Sequence, residues 1–449
     1  MSLVLVDCGY TYPDGTVGLK GVHLEARAGE KLLVTGASGS GKSTLIRLAA
    51  GLLQRHGDGL VTGSVSIGGR DPVPLPPAER ASSVAFVSQI PTDQLITGSI
   101  ADELAFGLES AGWSRERIDA RIDEIWSRLG LGVSLHRDPS TLSGGQTQRV
   151  VVAAATAVGA PVLLLDEPLA QLDSEGIAEL LLLLSELAED GVTVVVVEHR
   201  LEVCLPWADR VVVLKNGAIS RICNPSEVQV SKSAGQTRAA APGGAVVAQV
   251  RDLRFGYGET PVLKGVDLAI RAGESVALLG PNGVGKSTLL AAFSGEIPGA
   301  VTTGRVVDVP QDPDLALFCS TVREELAFGP TDWGISPTET DERVARVAAS
   351  LGISGLMDRA PQALSRGQRL RVAVGAAVTT EPALLLLDEP TAGQDRESID
   401  GIMDALVALP GETSVIFATH DTELARRRAH RIAFLSDGVI ARIVEPGDP

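Results

Sequence analysis

The fold is decided by residues 36–43, which read Gly-Ala-Ser-Gly-Ser-Gly-Lys-Ser. This octapeptide matches G-x-x-x-x-G-K-[ST], the pattern of a phosphate-binding loop, or P-loop. The apolar run 31–35 before it is typical of a buried strand, and residues 44–50 after it favour a helix. Glycines let such a loop present backbone N–H groups to phosphate oxygens, and the helix N-terminus adds partial positive charge. We therefore expect Lys42 to reach the β- and γ-phosphates of a nucleotide and Ser43 to bind Mg²⁺.

The same pattern returns at residues 280–287, which read Gly-Pro-Asn-Gly-Val-Gly-Lys-Ser. It again lies between an apolar run, 275–279, and a segment that favours a helix, 288–293. Because the context is repeated with the motif, a chance glycine-rich loop is disfavoured. The predicted phosphate ligands of the two loops are Gly36, Ser38, Gly39, Gly41, Lys42, Ser43 and Thr44, and Gly280, Asn282, Gly283, Gly285, Lys286, Ser287 and Thr288.

The whole chain is one unit written twice. The two P-loop lysines are 244 residues apart, whereas the later matching pairs are 221 or 222 residues apart. The second copy is therefore about 22 residues shorter after its P-loop, which we interpret as the loss of one hairpin found around residues 66–86 of the first. Between the copies lies a segment rich in Ala, Gly and Ser without apolar periodicity, typical of a flexible linker. The predicted domains are 1–225 and 248–449, with the linker at 226–247.

Each copy shows the same order of elements. An N-terminal β region precedes the P-loop strand and helix, a helical insert follows, and apolar strands then alternate with helices. Strands that are apolar throughout, interleaved with helices, indicate a parallel sheet covered on both faces. The predicted fold class is therefore α/β, with a β subdomain, a parallel-sheet core and a helical subdomain in each copy.

Composition excludes several classes of function. The 449-residue chain is 44% hydrophobic and carries a formal net charge of −17, which disfavours DNA, RNA or anionic lipid as the main partner. Its four cysteines show no C-x-x-C spacing, so neither a zinc site nor a disulfide framework is expected. No segment fits a signal peptide or a membrane span. We expect a chain that is soluble or is held at a membrane only through a partner.

Paired acids end one apolar strand of each copy. Both strands read Leu-Leu-Leu-Asp-Glu-Pro, and the acids are Asp166 and Glu167 in the first copy and Asp388 and Glu389 in the second. A carboxylate at a strand end beside a P-loop can hold Mg²⁺ through water, and the next acid can act as general base toward an attacking water. An ordinary acidic strand end explains one copy but not both.

Three further residue types recur at matching places: a glutamine after a strand, a histidine at a strand end and a tyrosine before the P-loop. The glutamine amide can bind Mg²⁺ or water, and the histidine can contact a γ-phosphate. A surface glutamine and a core histidine are the alternatives. For the tyrosine, stacking on adenine and a plain role in a β-sheet remain equally open. These residues are Gln89 and Gln311, His199 and His420, and Tyr12 and Tyr257.

A second candidate anion site opens a helix in each copy. The segments read Leu-Ser-Gly-Gly-Gln at 142–146 and Leu-Ser-Arg-Gly-Gln at 364–368. Helix N-termini favour anions, and these segments lie so far along the chain that they need not serve their own P-loop. The candidate residues are Ser143, Gly144, Gly145 and Gln146, and Ser365, Arg366, Gly367 and Gln368.

Taken together, the series resembles the ATP-binding-cassette (ABC) family in its tandem form, and the resemblance covers nearly the whole chain twice. It implies ATP and Mg²⁺ as cofactors and an intramolecular pseudo-dimer in which each ATP lies between one P-loop and the other half's Leu-Ser-x-Gly-Gln segment. Asp173 and Asp395 match the loop where the family's two domains meet. The implied sites are Lys42, Ser43, Gln89, Asp166, Glu167 and His199 with Ser365 and Gly367, and Lys286, Ser287, Gln311, Asp388, Glu389 and His420 with Ser143 and Gly145.

A narrower resemblance follows each glutamine. Residues 89–107 and 311–330 are similar to the same segment of energy-coupling-factor transporter ATPases, which serve vitamin and metal-ion uptake. The resemblance implies a groove for the coupling helices of a transmembrane T component, a separate substrate-binding membrane component, and a peripheral location at the cytoplasmic face of the cell membrane. The second copy departs from the pattern at Ala316, where the first has Gln94, and at Arg366. We therefore expect unequal grooves and unequal ATP sites, with the site of Lys286 the more standard.

Two other classes of function stay open. A soluble tandem ABC ATPase that acts on ribosomes or DNA would favour a basic surface and a long charged arm, which this acidic chain lacks. A fused-cassette sugar-importer ATPase often has a degenerate second site, whereas here the second copy keeps its lysine, both acids and its histidine.

Overall fold

A six-stranded sheet carries the P-loop in each half of the chain. The computed structural model describes residues 3–37, 39–53, 59–170, 172–228, 243–391, 396–408 and 413–445. The chain divides into two units, Met1–Ser231 and Lys232–Pro449. Each unit is described by itself.

In the first unit the strand order of the core sheet is β5-β6-β7-β3-β8-β9, and all neighbours are parallel except the edge strand β9. A second sheet, with order β2-β1-β4, is antiparallel. The P-loop strand β3 is central, between β7 and β8. The strands are β1 (Leu3–Thr11), β2 (Val17–Ala26), β3 (Lys31–Thr35), β4 (Leu60–Ile67), β5 (Ala85–Val87), β6 (Val162–Asp166), β7 (Thr193–Val197), β8 (Arg210–Lys215) and β9 (Ala218–Cys223).

The helices of the first unit begin with the P-loop helix and include the predicted helical insert. They are α1 (Lys42–Ala49), α2 (Pro77–Ala81), α3 (Ile100–Ser110), α4 (Arg115–Leu129), α5 (Gly144–Thr156), α6 (Ser174–Glu189) and α7 (Leu201–Cys204).

The second unit repeats this plan, with core order β14-β15-β16-β12-β17-β18 and a small sheet β11-β10-β13. Its strands are β10 (Val246–Tyr257), β11 (Thr260–Arg271), β12 (Ser275–Leu279), β13 (Ala300–Thr302), β14 (Val306–Val309), β15 (Leu384–Asp388), β16 (Ser414–Thr419), β17 (Arg431–Ser436) and β18 (Val439–Val444). Its helices are α8 (Lys286–Ser294), α9 (Val322–Asp332), α10 (Pro337–Ser350), α11 (Arg366–Val378), α12 (Arg396–Ala408) and α13 (Thr422–Arg428).

Alternate residues of the central strands feed two different cores. In β6, Leu163 and Leu165 pack with the helical insert, whereas Val162 and Leu164 pack with the antiparallel sheet and α1. Because successive side chains of a strand point to opposite faces, the sheet is covered on both sides. The predicted parallel core is confirmed, and the middle residues of its central strands, such as 32–34 in β3 and 163–165 in β6, are apolar without alternation for this reason.

The interpretation of the length difference as a hairpin is wrong. Between α1 and Gln89 the first unit has a long β4, a turn closed by an Ile67–Arg70 bridge, and the short helix α2. The second unit has only the three-residue β13 before β14. Strand β10 begins at Val246, two residues before the predicted domain boundary, and most of the predicted linker lies outside the described residues. Nowhere in the described parts of the chain does a helix combine the length and apolarity that a bilayer crossing needs.

Candidate functional site

The P-loop of each unit joins the central strand to a helix through a glycine in the left-handed region. Gly41 has φ 102° and caps α1, and a Cβ there would lie 2.5 Å from the carbonyl oxygen of Gly18. Gly285 has φ 108° and caps α8 in the same way. A side chain at Gly41 would meet both backbone strain and a fixed oxygen, so the motif's glycine is required by packing.

Both P-loop lysines fold back over their loops. Lys42 Nζ donates to the carbonyl oxygens of Gly36 at 2.8 Å and Ala37 at 3.1 Å. Lys286 Nζ donates to the equivalent carbonyls of Gly280 and Pro281, at 2.9 and 3.2 Å. Both lysines are buried. The ammonium groups are thus held against the loops that the sequence assigns to phosphate.

A hydroxyl and a carboxylate meet behind the first P-loop. Ser43 Oγ donates to Asp166 Oδ1 at 3.0 Å. Burial raises the pKa of Asp166, and the Ser43 hydrogen bond and the charges of Arg47 and Lys42 oppose that rise. A nearby cation would relieve this desolvation cost.

The second unit has the same pair. Burial raises the pKa of Asp388, opposed by the hydrogen bond from Ser287, and Asp388 Oδ1 is buried without a hydrogen-bond partner. Serine, aspartate and glutamine oxygens form the kind of donor set that Mg²⁺ prefers. Within the described residues, no cluster of three or more His, Cys, Asp and Glu side chains is placed to hold a metal ion.

The two predicted general bases share a strained backbone. Glu167 has φ 48° and Glu389 has φ 44°, values in the left-handed region that non-glycine residues seldom adopt. Their N–H groups donate to carbonyl oxygens near the ends of the neighbouring strands. These belong to Val197, the last residue of β7, at 2.9 Å and to Ala418, the penultimate residue of β16, at 3.0 Å. Such strain costs about 1–3 kcal/mol per residue and clusters at active sites. The same strained conformation occurs at equivalent positions of the two units.

The side chains around these glutamates differ between the units. Glu167 Oε2 accepts a hydrogen bond from Gln89 Nε2 at 2.7 Å. Glu389 instead contacts His420 Nδ1 at 3.0 Å and Lys286 Nζ at 3.2 Å. Burial opposes ionisation there, but the hydrogen bond and charge of His420 and the charge of Lys286 hold the pKa of Glu389 below its ordinary value.

The predicted His199 lies beside a carboxylate that sequence reasoning missed. Its Nδ1 is 3.2 Å from Glu198 Oε1 and 4.0 Å from Glu167 Oε1. Glu198 is completely buried. The signal in the sequence was an acid at the end of an otherwise apolar strand, where the second copy has Thr419.

The Leu-Ser-x-Gly-Gln segments form capping boxes at the starts of α5 and α11. Gln146 N donates to Ser143 Oγ and Ser143 N donates to Gln146 Oε1, at 3.4 and 3.1 Å. Ser365 and Gln368 form the same pair, at 3.3 and 3.1 Å. The glutamines therefore have a structural role in helix capping, besides the predicted one. Arg366 Nη2 donates to the backbone oxygen of Gln311 at 3.4 Å.

The first tyrosine is anchored beside its P-loop helix. Its hydroxyl, on Tyr12, lies 2.7 Å from Thr44 Oγ1. Tyr257 is 61% exposed and packs edge-on against Phe255. The side chain of Tyr12 is also partly exposed, at 37%. Ser38 and Asp395 lie outside the described residues, and Asp173 caps α6 by accepting from Gly176 N at 2.9 Å.

Comparison with known proteins gives consistent matches. The profile of the family described as "ABC transporter" matches residues 19–170 and 263–392, more than half of the chain. A protein of Methanosarcina mazei named "Putative ABC transporter ATP-binding protein" is 35% identical over 97% of this chain and 87% of its own length. One of the same name from Streptomyces avermitilis is 33% identical, over 97% and 92%.

A solved structure of the RNase-L inhibitor matches 98% of this chain and 90% of its own, with a TM-score of 0.63 and 23% identity. At that identity the likeness concerns the fold alone. Together these matches confirm the predicted fold class of two tandem P-loop NTPase domains.

Proposed function

The chain belongs to the ABC transporter family as an ABC ATPase with two tandem cassettes, and on that premise we propose that it is the ATP-hydrolysing subunit of a membrane importer of the energy-coupling-factor type. The cargo class that this type implies is a vitamin or a transition-metal ion. The relatives that align with it along nearly their whole length carry names of transporter ATP-binding proteins. One structural observation supports the finer proposal more than any other.

Large apolar side chains are exposed at the same two positions of both cassettes. Ile96 and Phe106 are 63% and 50% exposed in the first, and Phe318 and Phe328, each 222 residues further on, are 63% and 49% exposed in the second. Single exposed apolar residues are common, but a repeated pair at the start of a helical insert is typical of an interaction site. We name these two pairs the apolar patches.

A buried carboxylate shapes each apolar patch. Glu103 Oε2 accepts from the backbone N–H groups of Ile96 and Thr97, both at 3.0 Å. Glu325 Oε2 accepts from those of Phe318 and Cys319, at 3.0 and 2.7 Å. The turn that presents the apolar side chain is therefore held by hydrogen bonds before any partner arrives. In the second patch the rings of Phe318 and Phe328 meet edge to face at 4.8 Å.

The partner that fits such patches is an amphipathic helix with a large apolar residue, as supplied by the cytoplasmic coupling helices of a transmembrane T component. The proposed complex also contains a small substrate-binding membrane component, and the cassettes lie at the cytoplasmic face of the membrane through these proteins. A net charge of −17 gives no support to nucleic acid as a partner.

We assign the following roles in ATP hydrolysis to the site residues. Bound MgATP supplies the γ-phosphoryl group. Lys42 and Lys286 would neutralise phosphate charge, and the metal would be held by Ser43, Gln89 and Asp166, and by Ser287, Gln311 and Asp388. Glu167 and Glu389 would accept a proton from water, and His199 and His420 would contact the γ-phosphate. We propose that the Leu-Ser-x-Gly-Gln segment of each cassette completes the site of the other.

The test is purification of the full chain from detergent-solubilised membranes of its own host, in wild-type form and as Phe318→Ser/Phe328→Ser. A matched control is Leu182→Ser, which removes a side chain that is 63% exposed on α6, a helix that carries neither patch. We expect a multi-span T-type protein and a small membrane protein to co-purify with wild type and the control, and to be recovered in smaller amounts with the patch variant, which keeps the patch of the first cassette.

Two other outcomes oppose the proposal. Co-sedimentation with ribosomes, unchanged by the patch variant, favours the soluble tandem class. Equal recovery of the membrane proteins with the patch variant contradicts docking at the apolar patches. ATPase activity of each preparation separates loss of docking from loss of folding.

A further inference from the structure

A second buried carboxylate stands beside the predicted histidine of the first cassette. Glu198 follows β7 directly and precedes His199, and its exposed fraction is 0%. A carboxylate so completely removed from water is costly unless donors surround it. The predicted machinery of ATP hydrolysis does not use this residue, so its contacts need another explanation.

Glu198 holds together two segments of the site. Its Oε1 accepts from the backbone N–H groups of His199 at 2.9 Å and Arg200 at 3.3 Å, and its Oε2 accepts from that of Leu169 at 3.3 Å. Leu169 lies two residues after Glu167. The carboxylate therefore joins the turn that carries the histidine to the segment that carries the predicted general base.

The same carboxylate faces the imidazole. His199 Nδ1 is 3.2 Å from Glu198 Oε1 but 4.0 Å from Glu167 Oε1, and it makes no hydrogen bond of good geometry. The contact with Glu198 is therefore electrostatic. A negative charge at this distance favours a proton on Nδ1, which leaves Nε2 to face the other way.

The second cassette has an uncharged residue at the position that corresponds to Glu198. Thr419 replaces Glu198, and its Oγ1 lies 3.3 Å from Thr391 Oγ1, at the place of Leu169, and accepts from Asp421 N at 3.0 Å. With Thr419 at the position of Glu198, His420 Nδ1 contacts Glu389 itself at 3.0 Å. The two cassettes thus orient the histidine with different acids.

We infer that Glu198 is a positioning residue, which holds His199 beside itself and away from Glu167, so that the two ATP sites start their reaction from different arrangements of histidine and general base. The inference rests on the proposed hydrolysis of ATP at these sites, and it is independent of what is transported.

The first measurement needs no nucleotide. Imidazole ¹⁵N chemical shifts of the full chain, which has six histidines, report which ring nitrogen carries the proton. His199→Ala and His420→Ala identify the two signals. Two variants then probe Glu198. Glu198→Gln keeps the shape and removes the charge. Leu169→Thr/Glu198→Thr installs the hydroxyl pair of the second cassette, which is known to fit that cassette's fold. We expect both variants to shift the His199 signal and to leave that of His420 unchanged.

The second measurement is ATPase kinetics in a Glu389→Gln background, where only the first cassette keeps its general base. We expect Glu198→Gln to lower kcat about tenfold and to change KM for ATP less than about twofold, because misplaced groups affect the reacting geometry more than binding. In a His199→Ala background the same substitution is expected to cost less than about twofold, because Glu198 acts through the ring.

Unchanged His199 signals in both variants would overturn the inference. So would additive losses of rate with His199→Ala, which indicate that Glu198 only stabilises the fold. If the chain hydrolyses no ATP in any form, the proposed function fails, and the ring signals alone still decide the role of Glu198.

Discussion

Replacing Glu389 with Gln should destabilise the second cassette in the absence of nucleotide. Glu389 is 8% exposed and lies between His420 Nδ1 at 3.0 Å and Lys286 Nζ at 3.2 Å. Glutamine preserves the shape but removes the charge. The ammonium of Lys286, also buried, then loses the carboxylate that it contacts, and Asp388 remains as the other nearby acid.

The size of the effect follows from what Lys286 retains. Removing one member of a buried ion pair costs about 3–5 kcal/mol when the other is left with nothing. Here Lys286 keeps hydrogen bonds to Gly280 and Pro281, and the glutamine oxygen keeps one acceptor. We therefore expect a loss of about 1–3 kcal/mol in the free energy of opening of the second cassette.

Native-state hydrogen exchange read by mass spectrometry measures this locally. Amides of β12 should exchange roughly 5- to 150-fold faster in the variant, and peptides of β3 should be unchanged. The control is Glu339→Gln in the same cassette, where the carboxylate is 53% exposed and Arg343 keeps Glu381 as a second partner. It should cost less than about 0.5 kcal/mol.

The pH dependence gives a further check. The pKa of Glu389 is lowered from an ordinary value of 4.5. Its stabilising effect is therefore present above that value and is lost as the pH falls through the lower pKa of the folded state. The difference between wild type and variant should be constant at neutral pH and close below pH 4.5. Equal exchange in Glu389→Gln and Glu339→Gln at pH 7 would refute the reasoning.

Three further predictions concern single positions. Gly41→Ala should lower the melting temperature more than Gly39→Ala, because both glycines have positive φ but only Gly41 has a carbonyl oxygen in the way of a Cβ; equal shifts in calorimetry would contradict this. The pKa of the Cys319 thiol is raised to about 11 by burial and neighbouring carboxylates, so iodoacetamide should label it at pH 8 roughly 100-fold more slowly than a free thiol, with the rate rising toward pH 11. Glu167→Gln and Glu389→Gln should reduce the ATPase rate unequally, and equal losses would sink the idea of unequal sites.

The central architecture could be predicted from the sequence because strands buried on both faces are rich in apolar residues. The predicted strand limits 31–35 and 275–279 are those of β3 and β12 in the structure. Both strands are buried on two faces, so each carries an uninterrupted apolar run, 32–34 in β3 and 276–279 in β12. The glycines of the two loops likewise follow from backbone geometry at fixed positions. Such local requirements leave a visible trace in the order of residues.

Other features depend on which segments meet in space. In the sequence, Glu198 is only a polar residue directly after β7, and the fold is needed to bring the backbone of Leu169 beside it. Glu103 and Glu325 resemble ordinary first-turn acids of helices, and only the fold brings them under the apolar patches. The extra length of the first copy was wrongly interpreted as a hairpin, because nothing in the sequence of residues 66–86 distinguishes a hairpin from a turn followed by the helix α2.

The two P-loops differ at three of their eight positions but hold their lysines alike, and further differences lie around them. The two P-loop lysines donate to equivalent carbonyl oxygens of their own loops. Ser143 and Ser365, in the Leu-Ser-x-Gly-Gln segments, form equivalent capping boxes. By contrast, Arg369 Nε of α11 lies 2.9 Å from Asp314 Oδ1, next to the second apolar patch. The first cassette has Thr147 and Thr92 at these places, so it cannot form this ion pair. A partner that binds the second patch would therefore contact a segment next to Asp314, which the ion pair with Arg369 joins to α11, the helix that carries Arg366. A partner that binds the first patch would not act through such an ion pair. Under the proposed function, these contacts favour unequal coupling of the two cassettes to a membrane partner.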